Sequence, residues 1–457
     1  MRKDSGVHEI AKPYISGHYT PVTDEISATG LTVRGAIPPE LDGRYIRNGH
    51  NPKPGVVPTH WFRGSGMLHG VRLRGGKAEW YRNRWVHTTA FDDDAPLFRA
   101  DGSMDLAASA AATHLIEFGG RLLALQEVNL PWQVTPELDT AGVFDFHGGL
   151  KTPMTAHTKE DPITGELHFL CYSPFPPHLI YYTASPAGHI TRTEVIRDAG
   201  PSLMHDFAIT TDHVLFFDLP VVFDPAEQSG IPYRWSDTYR PRIGVLPRTG
   251  PAVVQWFDVE PSALLHSANA YLDESGRIVL EGPRYDRTSW ESTWKWWVGA
   301  PGYATMPGVG MTGYRWVLDP ATGKATEEIT DDLVTEFPTI DNRLVGLPNR
   351  HSYALAFPGS GRRDCAIVKY DNKTGQRTVA GLGGDRLPGE PYFVPAEGGT
   401  ADDHGYLLSI VSDLGSDAAE LLIMDAGDLA TVAAVELPRR VPAGIHGSWI
   451  ADADLAG

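Results

Sequence analysis

Short runs of apolar residues along the chain are repeatedly broken by tight polar or glycine turns, and one unit recurs: a strand-like run, a turn, and a second apolar strand. It is seen in HGVRLRGGKAEWYRN from His69, THLIEFGGRLLALQE from Thr113, AHTKEDPITGELHFLCY from Ala156 and HDFAITTDHVLFFDL from His205. It returns in HSANAYLDESGRIVLEG from His266, RHSYALAFPGSGRRDCAIVKY from Arg350 and ADDHGYLLSIVSD from Ala401, and ends at HGSWI from His446. Each turn carries hairpin chemistry. Repetition at about 40 to 80 residues predicts an all-β β-propeller built of four-stranded blades, with a large irregular β-sandwich as the competing arrangement. The short run at His446 then closes the ring beside N-terminal strands. Helical periodicity is scarce, and only SMDLAASAAATHL from Ser103 and ALLHSANAYL from Ala263 predict short helices. The stretch Trp290 to Met311 holds four tryptophans among glycines and prolines. It predicts loop or inter-blade packing, the other reading being an apolar entrance for a greasy substrate that touches a membrane surface. No linker or low-complexity segment divides the chain, so residues 1–457 are expected to form a single domain.

Composition supports the β reading: 48 glycines, 36 prolines and 10% aromatics among 457 residues suit many short strands and suit long helices poorly. With 39 basic residues against 57 acidic ones the net charge is -18, which repels nucleic-acid phosphates and argues against a nucleic-acid partner. The N-terminal MRKDSGVHEIAKPYISGHY has no apolar core, and no window approaches the roughly 18 apolar residues of a membrane span. A cytoplasmic protein is expected, with membrane contact limited to its periphery. Cys171 and Cys365, the two cysteines, each sit beside strand-like apolar residues and read as buried structural thiols.

The phosphate loop GxxxxGK[ST], the HExxH zinc helix, CxxC and GxSxG are all absent, and GSGMLHG at Gly64 lacks the long helix a nucleotide loop requires. What remains is histidine. Any one of the 18 histidines is ordinarily a surface or hydrogen-bonded core residue. If the innermost strands of successive blades start at the same end of the axis, however, imidazoles at those starts converge, and several of them chelate a first-row metal. His157, His205, His266 and His446 are separated by 48, 61 and 180 residues, which are blade spacings and not local motif spacings.

These residues also carry a resemblance. From GRYIRNGHNP near Gly43 to GIHGSWI at Gly444 the chain resembles the carotenoid cleavage oxygenases, the group that also holds apocarotenoid, stilbenoid and retinoid enzymes. TAHTKEDPITGELHF looks like the segment carrying the first iron ligand, SLMHDFAITTDHVLFFDLP the second, HSANAYLDE the third and VPAGIHGSWI the fourth, which gives those roles to His157, His205, His266 and His446. The resemblance implies a seven-bladed propeller with one Fe(II) per chain on the central axis, and loops and short helices capping one face. It implies that three glutamates stand behind the ligands, matching Glu127 in LLALQEVNLP, Glu336 in TEFPTIDNR and Glu390 in GEPYFVP. Each carboxylate would accept a hydrogen bond from the non-coordinating ring nitrogen and fix the tautomer. Thr113 matches a position whose side chain crowds one coordination site and so limits where dioxygen binds; a plain strand threonine is the alternative.

The implied reaction is cleavage of a carbon–carbon double bond of an apolar conjugated substrate by O2, giving two carbonyl products. Electron density comes from the olefin, so no flavin or oxoacid is required. Two departures bear on this. HWFRGSGM carries Arg63 and Ser65 where relatives usually have acids. Gln126 and Phe91 stand where stilbenoid-cleaving relatives place a lysine and a tyrosine that grip a phenol, which favours a carotenoid or apocarotenoid over a stilbenoid. Phe91, Trp132, Phe144, Trp294 and Trp297 are candidates to line an apolar tunnel, and core packing is the alternative for each. A retinoid-type isomerase, an interaction scaffold with a degenerate site and a calcium-dependent propeller hydrolase are the other readings; the last conflicts with a donor set of imidazoles.

Overall fold

The computed structural model describes residues 12–227, 231–300, 311–357 and 364–455. Among the described residues, seven of its eight sheets are arranged as the blades of a propeller, the eighth being the two-stranded pair Val221–Phe223 and Tyr233–Trp235. Five of them open with a short strand immediately after a residue singled out in the sequence or a few positions beyond it: His114–Phe118, Lys159–Glu160, Phe207–Ile209, Asn269–Leu272 and Gly447–Ala451. The other two open with Thr335–Thr339 and Tyr392–Pro395. These seven strands are the innermost of their blades and neighbour one another around the axis, as where Gly447–Ala451 lies between His114–Phe118 and Tyr392–Pro395.

Closure uses both ends of the chain. Gly447–Ala451 pairs with Gly43–His50 and completes the first blade, while Val33–Gly35 pairs with Thr431–Leu437 at the outer edge of the last. Close backbone approach makes glycine necessary here. A Cβ at Gly444 would lie 2.7 Å from the Asn48 carbonyl oxygen, and one at Gly49 would lie 2.7 Å from the Gly444 Cα. Cores fill the spaces between blades: Tyr45, Val71, Ile410 and Leu421 between first and last, Phe146, Phe169 and Tyr182 between second and third, and Phe217, Leu280 and Trp316 between fourth and fifth.

Both helix expectations fail. In 103–115 the Asp105 carboxylate accepts from Ala107 N–H, the Ser109 hydroxyl accepts from Ala111 N–H, and Ala111 takes a positive φ of 48°. Local side-chain bonding to the backbone replaces the helical ladder. In 263–272, Ala263 bridges to Tyr285 and Asn269–Leu272 is a strand paired with Ile278–Tyr285. Conversely the tryptophan-rich stretch, expected to be irregular, contains an 11-residue helix, Arg287–Trp297. Asp286 caps it by accepting from Ser289 N–H, and Ser289, Trp290, Thr293, Trp296 and Trp297 face inward at helical spacing. Residues 301–310 of that stretch, and the N-terminal segment through Ala11, lie outside the described residues. The recurring runs at Arg350 and Ala401 do not open blades; they supply the middle strands of the sixth and seventh.

Candidate metal centre

Each blade carries one of the residues singled out in the sequence at or near the start of its innermost strand. Around the ring these are Thr113, His157, His205, His266, Glu336, Glu390 and His446. A strand that begins at the same height in every blade needs only the right residue at its first positions to build a centre, so residues hundreds apart in sequence become neighbours.

The four histidines meet. Each offers a nitrogen within 4.8 Å of the others, and their ring centroids are 4.5 Å apart for His157 and His205, 4.6 Å for His157 and His446, and 4.9 Å for His157 and His266. Three rings are buried and His205 is partly so. Nδ1 of His266 bonds the Glu336 carboxylate at 2.6 Å, Nδ1 of His446 bonds Glu390 at 3.1 Å, and Nδ1 of His205 lies 3.3 Å from Glu127. The carboxylates are themselves fixed. Glu336 accepts from the Tyr285 hydroxyl at 2.7 Å, Glu127 from Ala156 N–H and the Tyr172 hydroxyl, and Glu390 from Gly447 N–H.

This pinning orients the opposite nitrogens of His205, His266 and His446. Nε2 of His157, His266 and His446 is buried without a hydrogen-bond partner, and a desolvated polar atom of that kind costs about 1–3 kcal/mol if nothing satisfies it. Three such lone pairs directed at one point fit a cation. Four neutral nitrogens suit a first-row transition metal; calcium or magnesium would require oxygens.

Electrostatics divide the histidines. Burial, followed by the neighbouring imidazoles, pushes His157 and His446 well below the ordinary histidine range and keeps them neutral and able to ligate. Burial also acts against a charged His266, but Glu336 more than offsets it and leaves His266 raised; Glu336 is correspondingly lowered. Burial lifts Glu390 to about 7.

The Thr113 hydroxyl donates to the Gln126 amide oxygen at 3.3 Å, and the same oxygen accepts from Ala112 N–H. Phe91 stacks on Trp85 and meets His87 edge-on, beside Val22 and Met67. Trp132 and Phe144 pack in cores between blades, while Trp294 and Trp297 lie on the capping helix, Trp297 5.0 Å from Phe62. Arg63 ends the turn Trp61–Arg63, and the Ser65 carbonyl accepts from Asn51 N–H. Cys171 and Cys365 are free and buried. A second group, His351, Asp402 and Asp403, is tied into internal contacts, with His351 Nδ1 2.8 Å from Asp402 and Lys369 2.7 Å from Asp403.

Sequence reasoning missed one network. Lys159 meets Asp206 at 2.9 Å, and Asp206 also accepts from the Ser267 N–H and hydroxyl, both at 2.7 Å. The three residues stand one or two places after His157, His205 and His266, so the polar letters in HTK, HD and HS were the available signal.

Comparison with known proteins agrees with this architecture. The profile of the retinal pigment epithelial membrane protein family matches residues 19–451. The chain belongs to that family, which includes the carotenoid cleavage oxygenases. A carotenoid cleavage oxygenase of Mycobacterium tuberculosis is 37% identical over 96% of this chain and 98% of its own. Among solved structures, the lignostilbene dioxygenase of Pseudomonas brassicacearum superposes with a TM-score of 0.84 at 26% identity, covering 96% of this chain and 98% of that one. A single-site variant of the Synechocystis apocarotenoid oxygenase gives 0.83 at 25%, covering 95% and 98%. Among the described residues, no helix of this family member is long and apolar enough to cross a membrane.

Proposed function

We propose that this protein is an Fe(II)-dependent dioxygenase that splits a carbon–carbon double bond of a carotenoid or apocarotenoid with O2, with one iron per chain. The supporting observation is the convergence of four imidazoles, three of which, His157, His266 and His446, hold a buried unpartnered Nε2, while Nδ1 of His205, His266 and His446 faces a carboxylate. His157, His205, His266 and His446 hold the metal, and Glu127, Glu336 and Glu390 hold the ring orientation. Bound iron supplies the redox and Lewis-acid chemistry that lets dioxygen react with an electron-rich olefin. Neutral ligands leave the ion its full charge. Thr113 narrows the approach to the ion, and Gln126, which fixes the Thr113 hydroxyl, and Phe91 are the substrate-side residues. The whole chain acts as one propeller domain in the cytosol, taking an apolar substrate from a membrane surface through the tryptophan-rich cap.

A stilbenoid substrate is the second reading, supported by the likeness to the lignostilbene dioxygenase. Product mass spectrometry on iron-loaded protein, using an apocarotenal, a carotenoid and a hydroxystilbene under isotopically labelled dioxygen, separates the two. Labelled aldehydes from the polyenes are expected, and cleavage of the stilbene alone would overturn the substrate assignment. His266→Ala is expected to abolish iron binding and turnover together; full activity in that variant would remove the metal assignment.

A further inference from the structure

The cavity on the axis extends well beyond the histidines. Of about 560 Å³, it is lined at one end by His157, His266 and His446 and at the other by Glu117, Glu160 and Asp454. Glu160 is three residues along its inner strand from His157, roughly 10 Å farther down the axis at about 3.3 Å per residue. Glu117 is equally far from His114, whose ring lies 5.0 Å from that of His446. Asp454 sits on the turn Asp452–Leu455 that follows the closing strand. Glu160 and Asp454 are exposed, so this end opens to solvent.

The opening faces away from the cap. The capping helix leaves the chain just after Tyr285, which bridges to Ala263 on one side of His266, whereas the cavity follows Ser267–Ala270 on the other. On the cap side the space next to Glu390 is lined by Tyr19, Trp61, Phe337, Leu355 and Phe357, a poor path for a hydrated ion.

Charge along the channel is one-sided. Its two cations are already paired, Lys159 with Asp206 at 2.9 Å and Arg343 with Asp341 at 2.6 Å. Among the described residues, Glu117, Glu160 and Asp454 have no ion-pair partner; Glu117 accepts only the Gly120 N–H at 2.7 Å. Burial raises all three above the ordinary carboxylate range. Mutual repulsion adds to this for Glu160, which lies at about 7, with Glu117 and Asp454 both contributing. An uncompensated acidic mouth at one end and three unpartnered buried nitrogens at the other are independent observations, and both call for a cation.

We propose that the axial channel is the entry route for the divalent metal, with Glu117, Glu160 and Asp454 capturing the hydrated cation and passing it to the four histidines from the face opposite the substrate cap. The inference rests on the metal reading above. It divides the two faces of the propeller between two solutes, an apolar substrate on one and a hydrated ion on the other.

Metal uptake by full-length apoprotein tests this directly, with Co²⁺ as the probe and its visible absorption as the readout. In the triple variant Glu117→Gln, Glu160→Gln, Asp454→Asn, loading is expected to slow about tenfold or more at low ionic strength. The difference should collapse in about 1 M salt, where charges are screened beyond roughly 3 Å, with the final stoichiometry unchanged. As a second arm, Asp454→Cys is modified at its exposed position, the two native cysteines being buried. An anionic ethylsulfonate adduct should restore fast loading, and a cationic trimethylammonioethyl adduct should slow it further. Full loading at the wild-type rate in the triple variant, or rates independent of adduct charge, would overturn the route while leaving the metal site standing. Wild-type protein that binds no Co²⁺ at equilibrium would overturn the metal reading and the route with it.

Discussion

Asp206 accepts the Lys159 ammonium at 2.9 Å, one step behind the histidines, and so ties the third blade to the fourth. Through Ser267 the same carboxylate reaches the fifth, so three of the four histidine-bearing segments share one anchor. Asp206 is fully buried, and burial works against its charge, but Lys159 and Ser267 hold it below the ordinary carboxylate range.

Asp206→Ala is therefore expected to cost about 3–5 kcal/mol, because it strands a largely buried ammonium and the Ser267 N–H. Metal affinity should fall about 10–100-fold as the ligand segments loosen. Urea unfolding and metal titration measure the two effects, and unchanged affinity would show that the anchor is irrelevant to the centre.

Gly444→Ala is expected to disturb His446 without touching it. The added Cβ would meet the Asn48 carbonyl oxygen at 2.7 Å and Arg47 Nε at 2.8 Å, and that backbone cannot give way without moving the closing strand. Overpacking of this kind costs about 1–3 kcal/mol. The measurable sign is substoichiometric metal in protein that still folds.

The polar framework of the centre was only partly legible in the sequence. Histidines at the opening of strand-like runs marked three blades directly, because a run that begins with its ligand carries its own signal. Glu336 and Glu390 open blades too, yet no histidine flags them, and their blades were registered one strand too late, at Arg350 and Ala401. The helix at Arg287–Trp297 was hidden because tryptophans and a following glycine–proline segment resemble loop, although Asp286 and Ser289 form an ordinary cap. The alanine-rich stretch before Thr113 reads as helix by propensity alone, and serine and aspartate bonding to local backbone overrides it. Family motifs, more than periodicity, singled out these four histidines among 18.

Tyr285→Phe removes the hydroxyl that donates to Glu336 at 2.7 Å and leaves the ring packed against Trp290. A buried carboxylate that loses one donor is expected to cost about 1–3 kcal/mol. Metal should be retained with a weaker affinity, and calorimetric titration against wild type gives the difference.

Acid stability should report on ring closure. Asp452 follows the last strand and bonds Arg44 and Arg72 of the first blade, both nearly buried. Burial raises its carboxyl group, but Arg72 and Arg44 outweigh this and hold it below its ordinary 3.8. A depressed carboxylate contributes stability that is fully present above the unfolded value and is lost as pH falls through the folded one. Asp452→Asn is expected to cost about 2 kcal/mol near neutrality, less than a fully buried pair because Asp452 is partly solvated. That deficit should shrink as the pH falls below the ordinary carboxylate value, as thermal unfolding at several pH values would show.

The double closure has a consequence for synthesis. A ribosome delivers His157, His205 and His266 while the first blade still lacks its innermost strand, and His446 arrives only with Gly447–Ala451. Completion of the ring and of the donor set is one event, so a chain that stalls short of residue 446 has neither. The nascent protein thus has no finished cage in which to trap a metal until its architecture is whole.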